Sequence, residues 1–427
     1  MIRHGAAIVC AIILSGISAH AADQTQVGAG NVRAEQIGPA SPLVRSAAEL
    51  LEDNAQRIED AQLRAATLDS FLNPHTCIRH RAHVTDAVKT QIIATLIAQN
   101  LVNPPDAAPI SGGLKAGIFP PVINDGSACP LLPLTFKATP GSNFGGHHSY
   151  PGGLAVHESF NDQSSINFAD TYRGEYGQLG ERRLPIATGA QPRGDVRISQ
   201  DVILAAPIWH DWGKMMVFQW NADGTEFTEL NFGGSGTNDN NGTPGDSRTG
   251  GHHIISIAET MARGLSPLMV ITQASAHSAP TSGNEYKVVN WLRAAAIIAR
   301  IDPVARGYLR IDGAGRPRLP ALRSLAAIDL NAAVPSQTNL LAEYTLHNLS
   351  DADFTFTGPA VATVEIVLKT LAPEFGFDPA DTSVYNLSFR NPALSFLSAE
   401  RLLILYGNGG LAPVRAALER LRRRGVI

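Results

Sequence analysis

From Ser41 onward the chain places apolar residues every three to four positions, and this period decides most of what it can fold into. In SPLVRSAAELLEDNAQRIEDAQLRAATLDSFL the spacing stays near that of an α-helix, which gathers the leucines and alanines on one face. Ser41 can cap such a helix and Pro42 fits its first turn, so a helix is expected from there to Leu72. A second is expected in HVTDAVKTQIIATLIAQNLV, with Thr85 as its cap. Further helices are read in SQDVILAAPIWHDWGK, capped by Ser199 and kinked at Pro207, and in HHIISIAETMAR, stopped by Gly264. Another runs from Ser266-Pro267 to about His277, and EYKVVNWLRAAAIIARID is closed by Pro303. Helical character continues beyond Asp329 to AERLLILY and PVRAALERLRRRGVI. VFQWNADGTEFTELNF instead reads as two short strands about a turn at Asn221 to Gly224. The expected fold is mostly α, with a small β-hairpin insertion and additional N- and C-terminal helices.

The N-terminus follows other rules. Arg3 and His4 precede AAIVCAIILSGI, which ends in SAHAA, the pattern of a secretory signal cleaved after Ala21. The run is short for a bilayer span, and a retained anchor helix is the competing reading. The expectation is an exported, periplasmic or extracellular protein with no integral membrane segment after signal removal. Residues 22–40 read as a flexible leader, 41–142 as a helical region with a Pro/Gly-rich connector, 143–310 as the core and 311–427 as a C-terminal helical region. GGSGTNDNNGTPGDSRTGG reads as a flexible loop, either a lid over a pocket or a plain insertion. With Cys10 inside the signal, Cys77 and Cys129 remain, and they either pair in an oxidising compartment or stay two buried thiols. A net charge of −4 argues against a strongly basic nucleic-acid binder.

The placement of the histidines carries the chemistry. His75, His80 and His83 gather near Cys77, but C-x2-H-x2-H lacks the further ligands of a structural zinc site. His347 stands alone and reads as a surface or satisfied histidine. HHSYPGGLAVHE holds His147, His148 and His157; IWHDWGK holds His210 and Asp211; His252 and His253 open a helix, His277 ends one, and Asp302 closes another. Imidazoles and carboxylates at helix ends suit a divalent ion: Mn, Fe, Ni, Zn or Mg, one or two per chain. Adjacent helical residues diverge by roughly 100°, so an ion reached by both His210 and Asp211 sits beside the helix. Lys214, one turn beyond His210 on the same face, can point its ammonium at a phosphate.

In this order the segments resemble the HD-domain metal-dependent phosphohydrolases. IWHDWGK matches the family's central HD-x-G-K motif, and HHSYPGGLAVHE is similar to the HH-x-Y-x-GG-L-x-x-H element of the branch containing 3′-to-5′ exoribonucleases. ASAHSAP resembles that branch's downstream histidine segment, and Asp302 fits its closing aspartate. The resemblance implies an HD-type helical bundle in which His157, His210, Asp211 and Asp302 hold a first metal. His252 and His277 would serve a second, with Asp211 bridging; Ser256 favours His252 over His253. The downstream segment departs from the usual His-His pair, having Ala276-His277, and NFADTYRGEYGQLGERRLPIATGAQPRGD reads as an inserted loop. The implied roles are Asp211 and Lys214 in catalysis, with His148, Tyr150 and Lys214 binding substrate. The implied activity is hydrolysis of a small, nucleotide-like phosphate ester. Nucleic acid is possible but not favoured, because no separate nucleic-acid-binding module is visible. Competing readings are a binding or sensing protein with a degraded metal site and an HD-type oxygenase. A helical zinc phospholipase lacks support, since Trp209 is the earliest tryptophan and no HxxxH occurs on one helix.

Overall fold

The computed structural model describes residues 27–177, 196–226, 228–233, 247–281, 283–322, 330 and 338–427. The expected signal segment, residues 178–195 of the expected insertion and the Gly-rich loop over 234–246 lie outside them, and so does the lid reading of that loop. The chain is mostly helical. Its N-terminal helices are α1 (Asn31–Ile37), α2 (Pro42–Ala55), α3 (Ala61–Leu72), α4 (Asp86–Ala98) and α5 (Gly113–Ile118). The central ones are α6 (Gly153–Tyr176), α7 (Gln200–His210), α8 (Lys214–Val217), α9 (Gly251–Ala262), α10 (Pro267–Ala274), α11 (Glu285–Ala299) and α12 (Ala342–Ser350). After them come α13 (Phe354–Leu371), α14 (Thr382–Tyr385), α15 (Asn391–Leu397), α16 (Ala399–Gly409) and α17 (Leu411–Arg423).

Local chemistry sets the boundaries. Ser41 accepts from the Val44 N–H, Thr85 from Val88 and Ser266 from Met269, each at the expected cap. The single helix expected over Ser41 to Leu72 is instead two. Asp60 accepts from the N–H groups of Gln62 and Leu63, both at 2.9 Å, and so starts α3 afresh. Asp201 takes up the Glu59 and Asp60 N–H groups at 2.8 and 2.9 Å, so the break leaves neither donor unmet. Ser199 occupies the cap position of α7 without a side-chain capping bond, and α10 ends at Ala274, short of His277. The expected flexible leader contains α1, which buries Ala34 and Ile37 and sends the Arg33 guanidinium to the Leu387 carbonyl at 3.1 Å.

The strands are minimal. Trp220 and Glu226 form one isolated bridge at the expected hairpin, β1 (Asn231–Phe232) pairs antiparallel with β2 (Thr249–Gly250), and β3 (Arg310–Ile311) with β4 (Pro317–Arg318). Cys77 and Cys129 form a disulfide.

A first hydrophobic core runs from Val44 to Leu346, so the boundaries drawn at 142/143 and 310/311 do not divide it. Helix α6 lies at its centre, against α2, α7 and α12, while α9 packs on α11. A second core, built mainly from α13 to α17, gathers Ala360 to Leu421 around Tyr150. Between the two, Ala342–Phe375 has the length and apolar composition of a membrane span. It is broken into α12 and α13 at Asp351 to Asp353. These two aspartates face the histidines described next.

Candidate metal centre

Four helices and two loops bring the site together. The Pro151-Gly152-Gly153 turn starts α6: Gly152 has φ +82°, and a Cβ there would collide with Val44. His157 follows one turn on, 1% exposed. His210 ends α7, and Asp211 is the residue that stops it. At Gly213 a side chain would collide with the His252 carbonyl, so glycine lets the start of α9 approach Asp211. Ser256 fastens that approach, accepting from the Gly213 N–H at 2.7 Å and donating to the His252 carbonyl at 2.8 Å.

The imidazoles converge through their Nε2 atoms on two carboxylates. His157 and His210 Nε2 each lie 3.3 Å from Asp211 Oδ2, and 3.3 and 3.4 Å from Asp351 Oδ1. His252 Nε2 lies 3.1 Å from the other Asp211 oxygen, Oδ1, and His277 Nε2 lies 4.0 Å from Asp351 Oδ2. Each outer nitrogen has its own neighbour. Nδ1 of His210 donates to the Pro207 carbonyl at 2.8 Å, and His252 Nδ1 bonds Glu229 at 2.7 Å. His277 Nδ1 bonds Thr249 at 2.8 Å, and His157 Nδ1 lies 3.0 Å from Asp353. Fixing the outer nitrogen selects the tautomer and aims the inner one, which is how metal-binding histidines are held. The ligand atoms of His157, Glu158, His210 and Asp211, of His210, His277 and Asp351, and of Asp211, His252 and His277 form groups close enough to share an ion.

The donor set fits a divalent cation. His210 Nε2, His252 Nε2 and Asp211 Oδ1 are buried without a hydrogen-bond partner, a state that costs about 1–3 kcal/mol per group unless something else satisfies it. The charges of Asp211, Glu158, Asp351 and Glu229 also act on Lys214, whose ammonium touches Asp211 Oδ2 and the Gly141 carbonyl. Burial pushes the Glu158 carboxyl up to about 8. Burial would also raise Asp211, but the charges of His210, Lys214 and His252 hold it well below the usual range. His277, pushed down by burial to about 4, is a neutral donor.

The structure brings His157, His210, Asp211, His252 and His277 into one place, with Lys214 beside them. It does not bring Asp302, which is exposed in the turn after α11 and accepts from the Val304 and Ala305 N–H groups at 2.9 and 3.1 Å. Asp351 stands where a closing aspartate was expected. His253 turns aside: its ring stacks on His277 at 4.1 Å, and its Nε2 lies 3.2 Å from the Ala274 carbonyl. Tyr150 is fully buried in the second core and lines neither cavity beside the site. His147 is the one of the leading pair that faces the His157 cavity, its ring 4.7 Å from His157. His148, at φ +50°, points to Glu400. His347 is neither alone nor on the surface, being fully buried with its ring 5.1 Å from that of His210. Its position four residues before Asp351 was the available signal, because that spacing puts both on one helix face. Glu229 and Thr249 had no such signal.

A cavity of about 480 Å³ opens onto the cluster, lined by His147, His157, Asp211, Lys214, His252 and His277 among others. No protein-family model, curated protein or solved structure matches the chain.

Proposed function

We propose that the chain is a metal-dependent phosphohydrolase of the HD type, acting on a small phosphate ester. The observation that carries this reading is the set of four imidazoles, three of them hydrogen-bonded from behind, with their inner nitrogens directed at Asp211 and Asp351. Asp211 presents one oxygen to His157 and His210 and the other to His252, the arrangement of a carboxylate shared between two positions. His157, His210, Asp211 and Asp351 would hold one ion, and Asp211, His252 and His277 a second. A divalent ion supplies Lewis acidity, lowering the pKa of water and polarising a phosphoryl oxygen. The protein's own part is positioning and charge. Lys214, on the cavity wall, offers an ammonium to the ester's phosphate. The cavity has the volume of a small-ligand site, and the −4 net charge supplies no broad basic surface for a polyanion. Export to the periplasm or beyond is part of the same proposal and rests on the N-terminal pattern.

The test is metal analysis of the purified protein, followed by Mn, Ni or Zn loading and a panel of nucleotides, cyclic dinucleotides, RNA, short- and long-chain alkyl phosphates and generic phosphodiesters. Retained metal with turnover is expected, both lost in His210→Ala. A chain that keeps its metal but turns over none of the panel is a binding or sensing protein; one that binds no metal refutes the centre itself.

A further inference from the structure

On the other side of the Asp351–Asp353 break lies a second cavity, also of about 480 Å³. Val156, Phe160, Phe168, Leu349, Ala352 and Phe356 form its apolar wall, and Leu349 and Ala352 line the metal-side cavity as well. Leu349 and Ala352 are therefore a wall common to the two cavities, and the groove adjoins the space in front of Lys214. Its mouth is unusual for a folded chain: Phe160, Leu349 and Phe356 are 53, 43 and 50% exposed, and Phe354, at the rim of the neighbouring cavity, is 50% exposed. Single exposed apolar residues need no explanation, but several around one concave opening mark a surface built for an apolar ligand.

The polar end of the groove narrows the choice. His148 Nε2 lies 3.2 Å from Glu400 and 3.7 Å from Asp353, so one imidazole stands between two carboxylates. That group offers a phosphate no net positive charge. An anion is favoured on the Lys214 side, and an uncharged group in the groove.

We propose that the substrate is an amphiphilic phosphate ester whose apolar group lies against Phe160, Leu349 and Phe356 while its phosphate faces Lys214. The assignment rests on the phosphohydrolase reading above. Its test is calorimetric binding of methyl-, butyl- and octylphosphonate, which cannot be hydrolysed as esters, to the metal-loaded protein. Affinity should rise about two- to fourfold per methylene until the groove is filled. In Phe160→Ser and Phe356→Ser, both half-exposed and so safe for folding, that slope should flatten. Methylphosphonate binding with no gain from methyl to octyl overturns the apolar assignment and leaves the phosphohydrolase reading standing. A nucleoside monophosphate that outbinds octylphosphonate also overturns it, placing a base in the groove. If metal is bound but no phosphonate binds, the phosphate reading falls, and this assignment with it.

Discussion

Replacing Glu259 with glutamine should cost the fold about 3 kcal/mol at neutral pH, with the cost fading in acid. Glu259 is fully buried on α9, two turns beyond His252, and it ties that helix to the disulfide-bearing segment. Its carboxylate accepts from the Arg79 and His80 backbone N–H groups, both at 3.1 Å, from the His80 ring at 2.8 Å and from the Arg263 guanidinium at 2.7 Å. His80 is itself pushed down by burial, so it acts as a neutral donor. Burial alone would raise the Glu259 carboxyl, but the His80 hydrogen bond and the Arg263 charge outweigh it and hold it at about 2, against 4.5 for a free glutamate. At about 1.4 kcal/mol per pKa unit, that depression corresponds to about 3 kcal/mol. The sign follows from the direction. The stabilisation is complete above the unfolded value of 4.5 and is lost as pH falls through about 2, with roughly half or less remaining at pH 3. Urea unfolding of both proteins, followed by tryptophan fluorescence at pH 7, 4 and 3, measures the difference. A loss under about 1 kcal/mol at pH 7, the worth of an ordinary neutral hydrogen bond, would refute the reasoning. So would a difference that stays constant down to pH 3.

Three further outcomes are expected. Asp351→Asn should weaken metal binding by at least tenfold in a calorimetric titration, while Asp302→Asn, in its exposed turn, should leave it intact. Glu229→Gln should lower metal affinity by about 10- to 100-fold without unfolding the protein, because it alters only the carboxylate behind His252. Cys77→Ser should reduce unfolding free energy by up to about 4 kcal/mol in urea titrations, the chain-entropy value for a loop closed over 52 residues.

The helical character was legible because periodicity and caps are local: Ser41, Thr85 and Ser266 each act where the sequence places them. The break at Asp60 was not, because an acid in the middle of a good period competes with the helix only when its own capping bonds and a distant Asp201 are present. The clustered histidines could be picked out because they lie in motifs that resemble one family's, and two of those motifs carry glycines with a steric purpose, Gly152 against Val44 and Gly213 against His252. The closing aspartate could not. Asp302 and Asp351 both follow helices, and only packing, which sets α12 against α6 and α7, decides which one enters the site. The outer neighbours Glu229, Thr249 and Asp353 come from separate stretches of chain, with no spacing to link them to the histidines.

Asp351 and Asp353 occupy the joint where the chain leaves one core and enters the other. An ion gripping Asp351 would work as a clasp, tethering the C-terminal helices to the body through the side chains that form the centre. Removing it would then loosen more than the site, because the joint would lose its fastening and the C-terminal helices would be freer to swing.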